Sequence, residues 1–409
     1  MARSSPAAGA DAARPPRRPV PRSGRERRLH RYFRGIRALR YGIVNLLMIA
    51  FAAALLFGGA WIWLVLAVSV IGTGIADELI GDWGEPSRQS GRWLCDIQLY
   101  AALPLLSLIT LLHLHYLARS DPLGLVRGLS EIGLRFGGLP SARRWTDVTG
   151  ATLGTAYLYA LAGMTVAHEL LHRSGSAIAP RAARALLAFN LSAHYAIYHL
   201  HGHHRNVATF QDPATARRGE YVLVFLVRCL LGEFRESLRL ETARLAKKGL
   251  PVLSWRNRFL QDQLYPLALL AMVALVGGHR GLVGFLIAAW LAPGIQRLVD
   301  YSQHYGLVRV PGARVEARHS WECDRFLTNA TQYNLGLHAD HHLAAGKPYW
   351  QLQPRSGAPR LPCGYTTASL IALVPPLWRR LTDPLLTDWD RRLASDEERA
   401  LLANQARRG

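Results

Sequence analysis

The chain has 409 residues, half of them hydrophobic, and a formal net charge of +21. Its apolar residues are gathered into blocks, which argues for one integral membrane domain with polar extensions and against two or three soluble domains. The charge would suit a nucleic-acid binder, but no aromatic-interleaved basic motif is present, and arginine accumulates in the cytoplasmic segments of membrane proteins.

Residues 1–40 carry twelve arginines and several prolines, and read as a solvated basic tail rather than a signal peptide. Apolar spans are expected at about 41–57, 60–75, 93–116, 148–167, 264–276 and 281–298. The first two are joined by a tight F-G-G-A-W turn and the last two by G-G-H-R-G. Two shorter apolar runs, Tyr221–Gly232 and Tyr365–Trp378, are too short to cross and read as interfacial or core segments. The membrane domain is expected to end near residue 385, with 386–409 as a polar, helix-prone solvated tail. The expected architecture is therefore an all-α integral membrane fold of six spans. With the basic tail inside, both termini and every segment after spans two, four and six lie on the cytoplasmic face of the inner membrane. The five arginines between spans three and four run against that charge rule.

Cys95, Cys229, Cys323 and Cys363 are scattered singly and form neither a disulfide framework nor a thiolate metal site. Any redox chemistry would draw its electrons from a partner.

Nine of the sixteen histidines stand at ligand-like spacing. They occur in H-E-L-L-H-R (His168, His172), H-L-H-G-H-H (His199, His203, His204), Q-H-Y-G (His304) and H-A-D-H-H (His338, His341, His342). On a helix, histidines four apart share one face. Span parity puts all nine on the face of the basic tail. Neutral imidazole is the commonest ligand for divalent first-row metals, and nine exceed what one ion accepts, so two metals sharing the set are expected. Glu169 and Asp340 lie inside these motifs and are candidates to orient ligand imidazoles, as are Asp212 and Asp300; helix capping or ion pairing competes as an explanation for each. Alone, H-E-x-x-H reads equally as a zinc protease with Glu169 as base. That reading leaves most of the histidines unused. A metal transporter would want ionisable groups mid-span, and the cores of these spans hold almost none. Arg205, Arg217 and Arg218 are candidates to receive an acidic electron donor, and Trp61, Trp63 and Tyr159 to wall a substrate channel.

The four clusters in this order, with H-R-N-V-A-T-F-Q-D-P-A-T-A after the second and L-P-C-G-Y near the C-terminus, resemble the integral-membrane alkane 1-monooxygenases within the fatty acid desaturase/hydroxylase superfamily. The resemblance covers roughly residues 40–385. It implies a six-helix bundle with a cytoplasmic-side helical cap, and two irons held by His168, His172, His199, His203, His204, His304, His338, His341 and His342. It also implies O2 as co-substrate and electrons from a rubredoxin served by an NAD(P)H-dependent reductase. The expected reaction is terminal hydroxylation of medium-chain alkanes or related hydrophobic molecules. Hydroxylation of an aromatic methyl, terpene or lipid chain, or acyl desaturation, would start from the same centre. Three places depart from the family pattern: Tyr198 and Gln303 stand where carboxylates are usual, and L-G-L precedes His338 where L-Q-R is often found.

Overall fold

A computed structural model describes residues 38–82, 92–118, 121, 124–133 and 144–406. Most of the basic N-terminal tail, and much of the arginine-bearing loop between the third and fourth expected spans, lie outside the described residues. Among the described residues the fold is all-helical, with two isolated β-bridges, Asp82 to Arg325 and Glu322 to Arg360.

The first three helices follow the apolar blocks: α1 Arg40–Phe57, α2 Ala60–Ile80 and α3 Arg92–Ala118. Helix α4 covers 145–171 and contains a π-helical turn at Tyr159–Met164. Shorter helices follow, α5 Ala179–Ala188 and α6 at 195–206, before α7 Val222–Ala246 and the long α8 Arg258–His304. The C-terminal part adds α9 Phe326–Thr331, α10 His338–Leu343, α11 Tyr365–Ala372, α12 Pro375–Arg392 and α13 Asp396–Ala406.

Helices α1, α2, α3 and α8 are long and apolar enough to cross a membrane. Their outer faces expose Leu46, Ile49, Ile71, Ile75, Leu264 and Leu275, an apolar surface suited to lipid. Helix α8 is broken at Gly278, whose φ of 59° and ψ of −161° suit glycine alone. The expected fifth and sixth spans fall on either side of that break.

Helix α4 holds the expected fourth span and is the central helix of the bundle. Its glycines, threonines and tyrosines make it less apolar, and it is enclosed by its neighbours: every residue from Tyr159 to Leu171 is buried. Gly154 permits this packing, since a Cβ there would lie 2.1 Å from the Phe51 ring of α1. Helices α3 and α4 run antiparallel, and their interior polar groups pair across the contact. Thr110 Oγ1 lies 2.6 Å from Tyr159 OH, and His113 Nε2 lies 3.1 Å from Thr152 Oγ1. Of the three aromatic residues expected to wall a channel, Tyr159 is buried while Trp61 and Trp63 are exposed on α2.

The C-terminal stretch differs from the solvated tail expected for it. Trp389 and Glu398 are buried against the 316–321 segment, and Leu386 is buried beside Gly306. Trp389 Nε1 donates to the Arg318 carbonyl at 2.8 Å, and Glu398 accepts from His319 Nε2 at 2.8 Å and Arg318 Nε at 3.1 Å. A few inward contacts on strongly charged helices are enough to dock them, and residue 385 falls inside α12.

Candidate metal centre

Four helical segments bring the nine histidines together. The π turn in α4 precedes His168 and His172, and a second π turn, His199–His203, lies within α6. Such turns are found mostly at functional sites. His304 is the last residue of α8, and His338, His341 and His342 lie on α10. Just before α10, Tyr333 and Asn334 take left-handed backbone angles. Asn334 Nδ2 is tied there to Tyr41 OH at 2.7 Å and the Tyr349 carbonyl at 2.8 Å.

The ring nitrogens sort into two groups, one of His168, His172, His199, His204 and His341, the other of His203, His304, His338 and His342. Within the first, His168 and His341 Nε2 lie 3.0 Å apart, and the Nε2 atoms of His172, His199 and His204 lie 2.8–3.1 Å from one another. Within the second, His338 Nε2 lies 3.1 Å from both His304 and His342 Nε2. Nitrogens bound at right angles about 2.1 Å from one metal would be about 3.0 Å apart. A neutral imidazole carries a single N–H, so clustered ring nitrogens cannot all satisfy one another by hydrogen bonds. A cation at the centre of each group resolves these facing lone pairs, and the donor set fits one.

The grouping cuts across the sequence motifs. His199 and His203, expected to act from one helix face, stack with ring centroids 5.5 Å apart yet belong to different groups. Each H-H pair likewise divides between the groups, because consecutive residues on a helix point about 100° apart.

Electrostatics favours the ligand form. Burial pulls His199, His204, His338, His341 and His342 well below the usual imidazole value, so they are neutral at physiological pH. Asp212 faces the ring of one of the nine histidines, accepting from His203 Nδ1 at 3.0 Å, and also accepts from Tyr198 OH at 2.5 Å and Thr215 Oγ1 at 2.7 Å. Burial alone would raise its pKa, but His203 and these hydroxyl donors hold it down at about 2. Tyr198, standing where a carboxylate is usual in the family, thus hands the role to a carboxylate fourteen residues further on.

Glu169 and Asp340 are placed differently from the expectation that they orient ligand rings. Glu169 accepts from Arg173 Nε at 3.3 Å and the Tyr349 N–H at 3.4 Å. Asp340 is fully buried and accepts from Lys347 Nζ at 2.5 Å, the Gln353 N–H at 2.8 Å and Arg355 Nε at 2.7 Å. Both lie between ligands on their helices, so their side chains turn away from the rings to brace the loop after α10. Arg218 is also committed internally, to Asp390 at 2.8 Å, whereas Arg205 and Arg217 are exposed.

One support escaped the sequence reading. Arg297 is 1% exposed, donates to Glu233 at 3.0 Å, pairs with Asp300, and lies 4.8 Å over the Tyr195 ring. Tyr195 OH in turn lies 3.1 Å from His199 Nδ1. A charged residue at the end of an otherwise apolar span was the available signal. A cavity between the two groups is lined by His168, His199, His203 and His338 with Met164, Tyr195, Gln303 and Leu335. Gln303 Nε2 donates to Tyr365 OH at 3.2 Å.

Buried histidine clusters on a helical membrane scaffold define a membrane-bound oxidoreductase with a centre suited to non-haem iron. The chain belongs to the fatty acid desaturase family, whose model matches residues 144–359. It is similar to alkane 1-monooxygenase 1 of Pseudomonas aeruginosa, at 36% identity over 64% of this chain and 69% of that protein. It is also similar to the alkane 1-monooxygenase of Ectopseudomonas oleovorans, at 33% identity over 60% of this chain and 62% of the relative. The xylene/toluene monooxygenase hydroxylase component of Pseudomonas putida is 28% identical over 89% of this chain and 93% of its own length.

Proposed function

We propose that the protein is an O2-dependent membrane monooxygenase that hydroxylates the terminal C–H of medium-chain alkanes or related hydrophobic substrates to primary alcohols. The observation that carries this reading is the pair of nitrogen groups, five and four strong, enclosed together at the ends of apolar helices. In this reading the nine histidines hold two irons, six spans form the bundle, and the centre lies on the cytoplasmic face. Electrons arrive from a rubredoxin and its NAD(P)H-dependent reductase. The similarity to alkane 1-monooxygenases supports the substrate class.

Iron in these groups supplies the activation of dioxygen that attack on an unactivated C–H bond requires. The protein's own part is positioning and enclosure. His168, His199, His203 and His338 present both groups to one cavity, whose Met164 and Leu335 offer apolar contact to a substrate. Asp212, kept ionised, holds the His203 ring through Nδ1 and balances positive charge beside it. Burial of the surrounding side chains keeps bulk water from the reacting carbon.

A second reading, hydroxylation of an aromatic methyl group, is favoured by the near full-length similarity to the xylene/toluene hydroxylase component. The zinc-protease reading loses support, because Glu169, its required base, is engaged with Arg173 and Tyr349. The deciding experiment is expression with a rubredoxin and its reductase, with assay of 1-alcohols from medium-chain alkanes beside methyl-hydroxylated products from xylene. Iron and zinc are measured on the same purified protein. Iron with 1-alcohol formation is expected; iron with turnover of xylene alone would replace the alkane, and stoichiometric zinc without iron would sink the oxygenase reading.

A further inference from the structure

Away from the histidines, α7, α8 and α12 meet around a second cavity, lined by Gly219, Tyr221, Tyr301, Tyr305, Trp378 and Arg379 among others. The Tyr301 and Tyr305 hydroxyls are already engaged. Tyr301 OH donates to the Glu220 carbonyl at 2.6 Å, and Tyr305 OH accepts from the Gly219 N–H at 3.0 Å. The Glu220 carboxylate is neutralised by Arg228 Nε at 2.6 Å. Two donors remain. The Trp378 indole N–H has no hydrogen-bond partner among the described residues, although the side chain is only 2% exposed. Buried indole N–H groups ordinarily find an acceptor. Arg379 is exposed, and its guanidinium lies 5.4 Å over the Tyr221 ring.

The surroundings identify the acceptor. Exposed apolar side chains border the cavity, Leu223, Val224 and Val227 on α7 and Leu373, Val374 and Leu377 where α11 meets α12. Tyr301 lies in the last turn of α8, the longest of the apolar helices, and Tyr305 just beyond it, so the cavity sits at the end of that helix. A soluble anion would need the two donors and not the apolar border. A phospholipid uses both.

We propose that this cavity is an interfacial phospholipid site. The headgroup phosphodiester accepts from Trp378 Nε1 and the Arg379 guanidinium, and the acyl chains lie over the apolar residues of α7 and the α11–α12 junction. An anionic lipid gains further from the neighbouring exposed Arg380.

The test uses the full chain, purified in detergent and stripped of lipid, with binding of dioleoyl phosphatidylglycerol measured by native mass spectrometry. Arg379→Gln should weaken binding about tenfold, as loss of a charge-assisted hydrogen bond does. Trp378→Phe, which keeps the ring and deletes only the N–H, should weaken it by a smaller factor. Arg280→Gln, an exposed arginine at the α8 break, should bind as the parent protein does. Equal binding by the parent, Arg379→Gln and Trp378→Phe proteins, with helicity and iron content unchanged, would overturn the site. So would displacement of the lipid by inorganic phosphate at comparable concentration, which would make it a simple anion pocket.

Discussion

His341 and His342 are consecutive residues whose ring nitrogens serve different groups: His341 Nε2 lies 3.0 Å from His168 Nε2, and His342 Nε2 lies 3.1 Å from His338 Nε2. One turn of α10 therefore feeds both halves of the centre, as the His203–His204 pair does from α6. His342→Ala leaves three nitrogens in its group, while His341→Ala leaves four in the other. Both substitutions should abolish hydroxylation, and iron content should fall further in His342→Ala, towards half of the parent value. Equal iron in parent and both variants would refute the assignment of these rings as ligands.

Asp212→Asn keeps the shape of the side chain and removes its charge. His203 then loses its ionised acceptor, and activity should fall about 10–100-fold, the usual cost of losing a partner to a metal-bound imidazole. Tyr198→Phe leaves the carboxylate in place and should cost less. Metal-binding titration separates the two effects: Asp212→Asn should weaken the group containing His203 more than the other.

Arg297 is the buried counter-ion of Glu233 and Asp300. Arg297→Met strands two carboxylates and should destabilise the protein by about 3–5 kcal/mol. Glu233→Gln combined with Asp300→Asn in the Arg297→Met background should recover part of that loss in a thermal denaturation series. Failure of the recovery would show that Arg297 matters by packing rather than by charge.

The α13 dock should be acid-labile. Burial raises the Glu398 pKa, but His319, the Ser395 N–H and Arg318 outweigh it and hold the carboxyl at about 2, below its ordinary 4.5. A depressed folded value means the stabilisation is fully present above pH 4.5 and fades as pH falls towards 2. The protection factors of the α13 amides, exchange rates normalised to the intrinsic rate at each pH, should fall across that window. Glu398→Gln should flatten the dependence and cost about 1 kcal/mol at neutral pH.

The apolar blocks and the histidine spacing made much of this legible, because both are local properties of a sequence. Helices α1 and α3 lie close to their expected limits, and α2 continues five residues beyond its expected end at 75. The break at Gly278 falls within the expected G-G-H-R-G turn. The partition of the nine histidines was not legible, since it depends on how α4, α6, α8 and α10 are rotated about their own axes. Asp212 was one candidate among several acids until Tyr198 and His203 were seen converging on it. Glu169 and Asp340 drew notice by adjacency to ligands, yet adjacency on a helix turns a side chain away. The docked C-terminus was obscured because Leu386, Trp389 and Glu398 are a small minority in a charged segment.

His168 and His341 stand 173 positions apart in the chain. An ion held between them is a cross-link closing a very long loop, and it restricts the unfolded chain in the way a distant disulfide would. It also imposes an order on biogenesis. The first group cannot be completed until α10 has emerged from the ribosome, after every apolar helix of the bundle has been made. If these histidines hold the metal as proposed, its loading is a late maturation step, and a chain truncated before residue 338 would lack His338, His341 and His342 and could not close either group.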